Sequence, residues 1–289
     1  MGELWKKKGG EGFQQSTLRE VATLRETVLL LGVVMVLFLL ISYFLFKGLS
    51  SSLPLGINSR FVAVLVVELS SVGLPLAVFL RLRGFNIGRA LGLSYSGTAP
   101  LAGAVLMGAA TVVVIPQFEA WQARLIRPPE GYLEALAEFI SLKHGESVVL
   151  ALVCLALVPA LCEEAVFRGI LLKACLARWS KPLTIVGIGV VFGLFHLDLW
   201  RWPLLSVVGM LLTWTAAEAA SLWPPIVFHL VNNSVSLLLA NCSWSAEQDW
   251  VATTGDVPPG LFALGAGMLV LGAGLISRSR GRHRPNNER

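Results

Sequence analysis

A chain of 289 residues in which 55% are hydrophobic and only 14% are charged is too apolar for an ordinary soluble domain, where about 25% of residues carry charge. With a mean hydropathy of +0.71 the class is a polytopic helical membrane protein. The net charge of +5 is explained by basic loops and implies no nucleic-acid partner.

The first 27 residues are polar and mixed, with the run Lys6-Lys7-Lys8, and no small-residue cleavage site follows a short apolar core. Residues 1–27 therefore read as a cytoplasmic basic segment, and the first apolar stretch as a retained anchor. Stretches of about 20 apolar residues, the length that crosses a bilayer, fall at 28–46, 61–80 and 101–118, so that 28–118 forms a set of N-terminal transmembrane helices. The connection 119–146 contains PPEGYLEALAEFISL, a Pro128-Pro129 turn followed by Leu133, Leu136, Ala137 and Ile140 at helical spacing. It is expected to hold an amphipathic interfacial helix, acting either as a plain connector or as a gate for substrate. Further spans are read at 147–172, 183–199, 203–220 and 223–240. Residues 241–289 hold a last span at 260–276 and a basic tail, SRSRGRHRPNNER. The fold class is all-α, a transmembrane bundle of about eight spans.

Arginine and lysine set the orientation. The cations before the first span, those after the second (Arg81, Arg83, Arg89) and fourth (Lys173, Arg178, Lys181), and those of the tail all fall on one side of an eight-span chain. The positive-inside rule makes that side, with both termini, cytoplasmic, as in a cell (inner) membrane. Cys154, Cys162, Cys175 and Cys242 form no C-x-x-C pair and read as small core residues.

The segment LCEEAVFRG, residues 161–169, places Glu163, Glu164 and Arg168 inside apolar sequence. Ionisable groups at membrane depth face a bundle interior or a wet cavity and are functional candidates. Glu164 and Arg168, four apart, share a helical face and can pair. Glu163 is rotated by about 100° and is free for other work. Phe192 and His196 also lie four apart. His229 precedes Asn232 and Asn233 by three and four residues, so either amide could sit beside it. Buried polar groups need partners, and one shared cavity is the simplest arrangement. Counted from the cytoplasmic ends of the spans, Glu163, His229 and His196 lie about 15, 9 and 20 Å deep, a spread that helix tilt can reconcile. Glu68 and Glu218 are two further carboxylates in apolar stretches, read as structural or substrate-contacting.

Glu163-Glu164-x-x-x-Arg168, Phe192-x-x-x-His196 and His229-x-x-x-Asn233 resemble, in order, the three motifs of the CPBP (CAAX protease and bacteriocin-processing, or Abi) intramembrane proteases, the group containing the type II CAAX prenyl endopeptidase. The resemblance covers roughly residues 100–240 and makes 147–240 the expected catalytic core. It implies that Glu163 and His196 activate water and that His229 and Asn233 stabilise the oxyanion. Glu164 with Arg168 would position the first glutamate or engage the substrate chain.

The chemistry suits peptide hydrolysis, since a carboxylate and an imidazole flanking one water supply base and acid and an amide and a second imidazole can donate to a tetrahedral oxyanion. Glu163, His196 and His229 could also make a three-ligand zinc site, but the chain lacks H-E-x-x-H, and no metal is expected to be required. The expected partners are the lipid bilayer and a membrane-anchored or lipidated peptide or protein substrate. The alternatives are a proton-coupled transporter, which would use similar buried groups, or a non-catalytic immunity or scaffold protein of the same fold.

Overall fold

The computed structural model describes residues 21–50, 59–244, 247–252 and 254–279. The lysine run near the N-terminus and the tail beyond Ser279, both used to orient the chain, lie outside these residues. The described residues are helical, with no strand among them.

In chain order the helices are α1 (Leu24–Ser50), α2 (Ser59–Arg83), α3 (Ile87–Leu91), α4 (Thr98–Leu125), α5 (Tyr132–Ile140), α6 (Val148–Leu176), α7 (Lys181–Phe195), α8 (Trp202–Ala219), α9 (Trp223–Ala240), α10 (Asp249–Ala252) and α11 (Pro259–Ser279). Each expected apolar span is a helix. Five of them, α1, α2, α4, α6 and α11, are long and apolar enough to cross a membrane. Apolar side chains such as Leu29, Val33 and Phe44 on α1 and Leu264 and Val270 on α11 face outward, as lipid-facing residues do. The chain is thus a multi-pass, all-α membrane protein.

Several span ends differ from expectation. Helix α4 runs to Leu125, past the expected 118, because Phe118–Leu125 are good helix formers with no breaker among them. Helix α6 continues to Leu176. Helix α7 stops at Phe195 rather than 199, since Leu197 takes a left-handed backbone, φ 54°. Its 15 residues measure about 22 Å, short of the roughly 30 Å of a hydrocarbon core.

The helix ends gather as an alternating bundle requires. At one end Arg83 pairs with Glu26, Lys173 Nζ donates to the carbonyls of Arg89 and Ala90, and Lys181 pairs with Glu218. The last contact gives Glu218 a structural role. At the other end Arg124 pairs with Asp256, and α5 is tied down by Arg60 Nη1 donating to Glu138 O (2.8 Å) and Asn241 Nδ2 donating to Ile140 O (3.0 Å). The expected amphipathic helix is therefore present, pinned across that end of the bundle.

Two prolines shape the interior. Pro75 and Pro159 lack an N–H, so the carbonyls four residues earlier lose their ladder partner. Each proline follows a π-helical turn, Leu69–Gly73 in α2 and Val153–Leu157 in α6, and α6 carries a second at Ala165–Leu171. Such wide turns recur at functional sites, and here they border the polar cluster.

Candidate active site

The cluster is built around Arg168, whose side chain is fully enclosed. Its Nη1 donates to Glu164 Oε1 at 2.8 Å, its Nη2 to Gly209 O at 2.9 Å and its Nε to Thr213 Oγ1 at 3.3 Å. The guanidinium also sits 4.4 Å from the Phe192 ring centroid, a cation–π contact in a water-poor setting. The pairing expected from the four-residue spacing is therefore present, and α8 completes it through two residues the sequence did not single out. Gly209 is required there: a Cβ would come within 2.9 Å of Phe192 Cδ1 and 3.0 Å of Gly189 Cα.

Glu164 has a second partner. His229 Nδ1 lies 2.9 Å from the same Oε1. A carboxylate only accepts, so Nδ1 carries the proton and Nε2 is left for other contacts. The sequence left open that an amide of Asn232 or Asn233 could sit beside His229; the hydrogen bond its Nδ1 makes goes to Glu164. Those amides are committed elsewhere: Asn232 Nδ2 donates to Thr111 Oγ1 at 2.8 Å and Asn233 Nδ2 to Leu155 O at 3.2 Å. Leu155 is the residue whose carbonyl Pro159 leaves unpaired, so the asparagine repairs the ladder that the proline breaks.

Glu163, rotated by about 100° from Glu164 along the helix, makes none of these bonds. It is half-buried, with one carboxylate oxygen enclosed. Glu68 ends the first straight segment of α2, where the π-turn brings Gly73 to 3.5 Å from Cys162 Sγ when a Cβ is built on it. Three buried carboxylate oxygens, Glu68 Oε2, Glu163 Oε2 and Glu164 Oε2, have no hydrogen-bond partner among the described residues.

His196 is not deep in a helix but at the C-cap of α7, exposed on the protein surface. Its Nδ1 pairs with Phe192 O at 2.9 Å, which leaves Nε2 as the unbonded nitrogen of that tautomer. Phe192 links the motifs, with ring centroids 4.8 Å from His196 and 6.1 Å from His229. No hydrogen bond joins His196 to Glu163. The depths nonetheless agree: with α6 ending at Leu176, Glu163 lies about 20 Å from that end and His196 about 22 Å from the start of α7. Among the described residues no group of three His, Cys, Asp or Glu side chains is arranged to hold a metal ion, so Glu163, His196 and His229 do not fit the three-ligand zinc site considered from sequence.

The fold and this site define a multi-pass helical membrane protein with a buried glutamate–arginine–histidine cluster. Residues 145–235, about a third of the chain, match the family model described as Type II CAAX prenyl endopeptidase Rce1-like, and the match supports assignment to the CAAX protease (CPBP) family, a protease family. The matched segment contains all three motifs; Glu68 and Tyr132 lie outside it. No curated protein and no solved structure matches the chain.

Proposed function

We propose that the chain is an intramembrane endopeptidase that hydrolyses a peptide bond in a membrane-anchored or lipidated substrate, using a water activated by Glu163 and His196. The observation that carries this reading is Glu163 Oε2, buried without a donor within a cluster that also holds two histidines. Glu164 differs in that its Oε1 accepts from both Arg168 and His229, although its Oε2 also lacks a donor among the described residues.

In this reading the water donates to Glu163, which takes its proton as the oxygen attacks the scissile carbonyl. His196, with Nδ1–H committed to Phe192 O, accepts from the same water at Nε2, and the proton taken up by Glu163 passes to the leaving amine as the C–N bond breaks. His229, held by Glu164, and Asn233, whose amide has a second N–H beyond the one bonded to Leu155, donate to the oxyanion. Arg168 holds Glu164 in place. The reaction as written uses no metal. By the distribution of cations, both termini are cytoplasmic and the membrane is a cell (inner) membrane.

The test is cleavage of a membrane-anchored reporter library by purified protein and by Glu163→Ala, each with and without chelator. Cleavage that is lost in the variant and survives chelator supports the proposal. Cleavage that persists in the variant contradicts it, and chelator sensitivity contradicts the metal-free mechanism. If a folded wild type cuts no member, proton-coupled transport becomes the better reading.

A further inference from the structure

His196 occupies an unusual place for a reactive side chain, a surface turn at a helix end rather than a packed helical face. Helix α7 finishes with the backbone N–H of His196 donating to Gly193 O (3.3 Å) and that of Leu197 to Leu194 O (3.1 Å). Leu197 then adopts φ 54°, a conformation that side chains other than glycine, asparagine and aspartate seldom take. Such a turn persists only where its surroundings over-determine it, and the structure shows what does so here.

Asp198 accepts the Tyr132 O–H at Oδ2 and the Arg201 backbone N–H at Oδ1, 2.9 Å away. Arg201 in turn donates from Nε to Glu119 Oε1 at 2.7 Å. Between them Trp200 is buried, with Nε1 donating to Ile126 O at 3.3 Å and its ring 5.5 Å from that of Tyr132. Every bond that Asp198, Trp200 and Arg201 make across the chain goes to α4, to α5 or to the link between them. The turn bearing His196 is thus clamped by helices outside its own hairpin, and Tyr132 and Glu119 lie outside the segment matched to the protease family.

We propose that Tyr132 and Asp198 are positioning residues for His196: the Tyr132–Asp198 bond fastens the start of the amphipathic helix α5 to the strained turn and so holds the imidazole toward the site. The placement of His196 then depends on the seating of α5. The role assigned to His196 rests on the proposed peptidase reading, but its positioning can be measured without a substrate.

The experiment is NMR of histidine-labelled protein in detergent micelles, comparing wild type, Tyr132→Phe, Asp198→Ala and Asp198→Asn, with His196→Gln used to assign the signal. The expected result is a shifted His196 ring resonance in Tyr132→Phe and Asp198→Ala, with the His229 resonance unchanged. Asp198→Asn, which retains an acceptor for Arg201, should give a smaller shift. On a cleavable reporter the same variants should lower kcat by about 10²-fold, the scale of a misplaced catalytic group, with KM unchanged. A His196 resonance unmoved in both Tyr132→Phe and Asp198→Ala would overturn the proposal. If Asp198→Ala does not fold, Tyr132→Phe alone decides it, since it deletes one oxygen from a half-buried side chain at a helix start. A shifted resonance in a protein that cleaves nothing would sink the peptidase reading and leave the positioning intact.

Discussion

The two glutamates at 163 and 164 are neighbours in sequence and opposites in surroundings. Glu164 is enclosed, with one oxygen shared by Arg168 and His229, in a group closed further by Gly209, Thr213 and Phe192. Glu163 is half-buried and holds a buried oxygen that nothing among the described residues donates to. One residue of helical rotation separates a carboxylate held in an ion pair from one that has no cationic partner among the described residues. The paired half has the character of scaffolding, since breaking a buried ion pair on one side leaves an uncompensated charge. The unpaired half is left with capacity for chemistry.

The largest effect should come from breaking the ion pair on one side only. Arg168→Met strands the Glu164 carboxylate beside a histidine alone and should destabilise the fold by about 3–5 kcal/mol, read from denaturant unfolding in micelles. Adding Glu164→Leu to that variant should recover much of the loss; if the double variant is as unstable as the sum of the singles, the pair is not coupled. Next is Gly209→Ala, whose new methyl meets the Phe192 ring and the Gly189 backbone. Overpacking of this kind costs about 1–3 kcal/mol, and a melting temperature equal to wild type would show that α7 and α8 are looser than described. Asn233→Ala should cost about 1–3 kcal/mol, because it leaves the carbonyl freed by Pro159 without a donor. Combining it with Pro159→Ala, which restores the backbone N–H, should cancel part of that cost.

The smallest effects should be those of pH at the far end of the bundle. Burial, reinforced by the bond to Asp198, pushes the Tyr132 phenol up beyond the ordinary tyrosine range, with Arg201 opposing and Glu119 adding to the shift. A raised value means the clamp's contribution is complete below about pH 10, the unfolded value, and is lost only as pH climbs through the higher folded one. The tyrosinate absorbance of wild type minus Tyr132→Phe should therefore stay flat to about pH 10; an earlier rise would contradict the buried bond. Asp256, bonded by Gln117 and then Arg124, is held below the usual carboxylate range. Its bonds should hold above about pH 4, the unfolded value, and loosen as pH falls through the lower folded value. Hydrogen exchange at Val257, whose N–H donates to Gln117 Oε1, would register that loosening.

Much of this arrangement could be read from residue order, because hydrophobic length and helical phase are local properties. Eight apolar stretches became eight helices, and the Glu164–Arg168 pair followed from a spacing of four. The failures have a common cause, namely partners that are distant in sequence. His229 meets Glu164 across 65 positions, so nothing in HLVNN could favour the carboxylate over the adjacent amides. The end of α7 was placed late because the run LFHLDLW stays apolar beyond the cap, and its stop depends on Asp198 meeting Tyr132 66 positions away. Two signals were present and went unread. Pro75 and Pro159, each in the middle of an apolar span, announce the wide turns beside Glu68 and Leu155.

The division between the two glutamates is tested most directly by Glu163→Gln and Glu164→Gln side by side, each measured for thermal unfolding and for reporter cleavage. The account predicts that Glu163→Gln melts at or above the wild-type temperature and loses cleavage by about 10²–10⁴-fold, the worth of a positioned general base. It predicts that Glu164→Gln melts well below wild type, because Arg168 is left a buried charge without its counter-charge. Equal melting temperatures with cleavage lost only in Glu164→Gln would reverse the assignment and contradict the account.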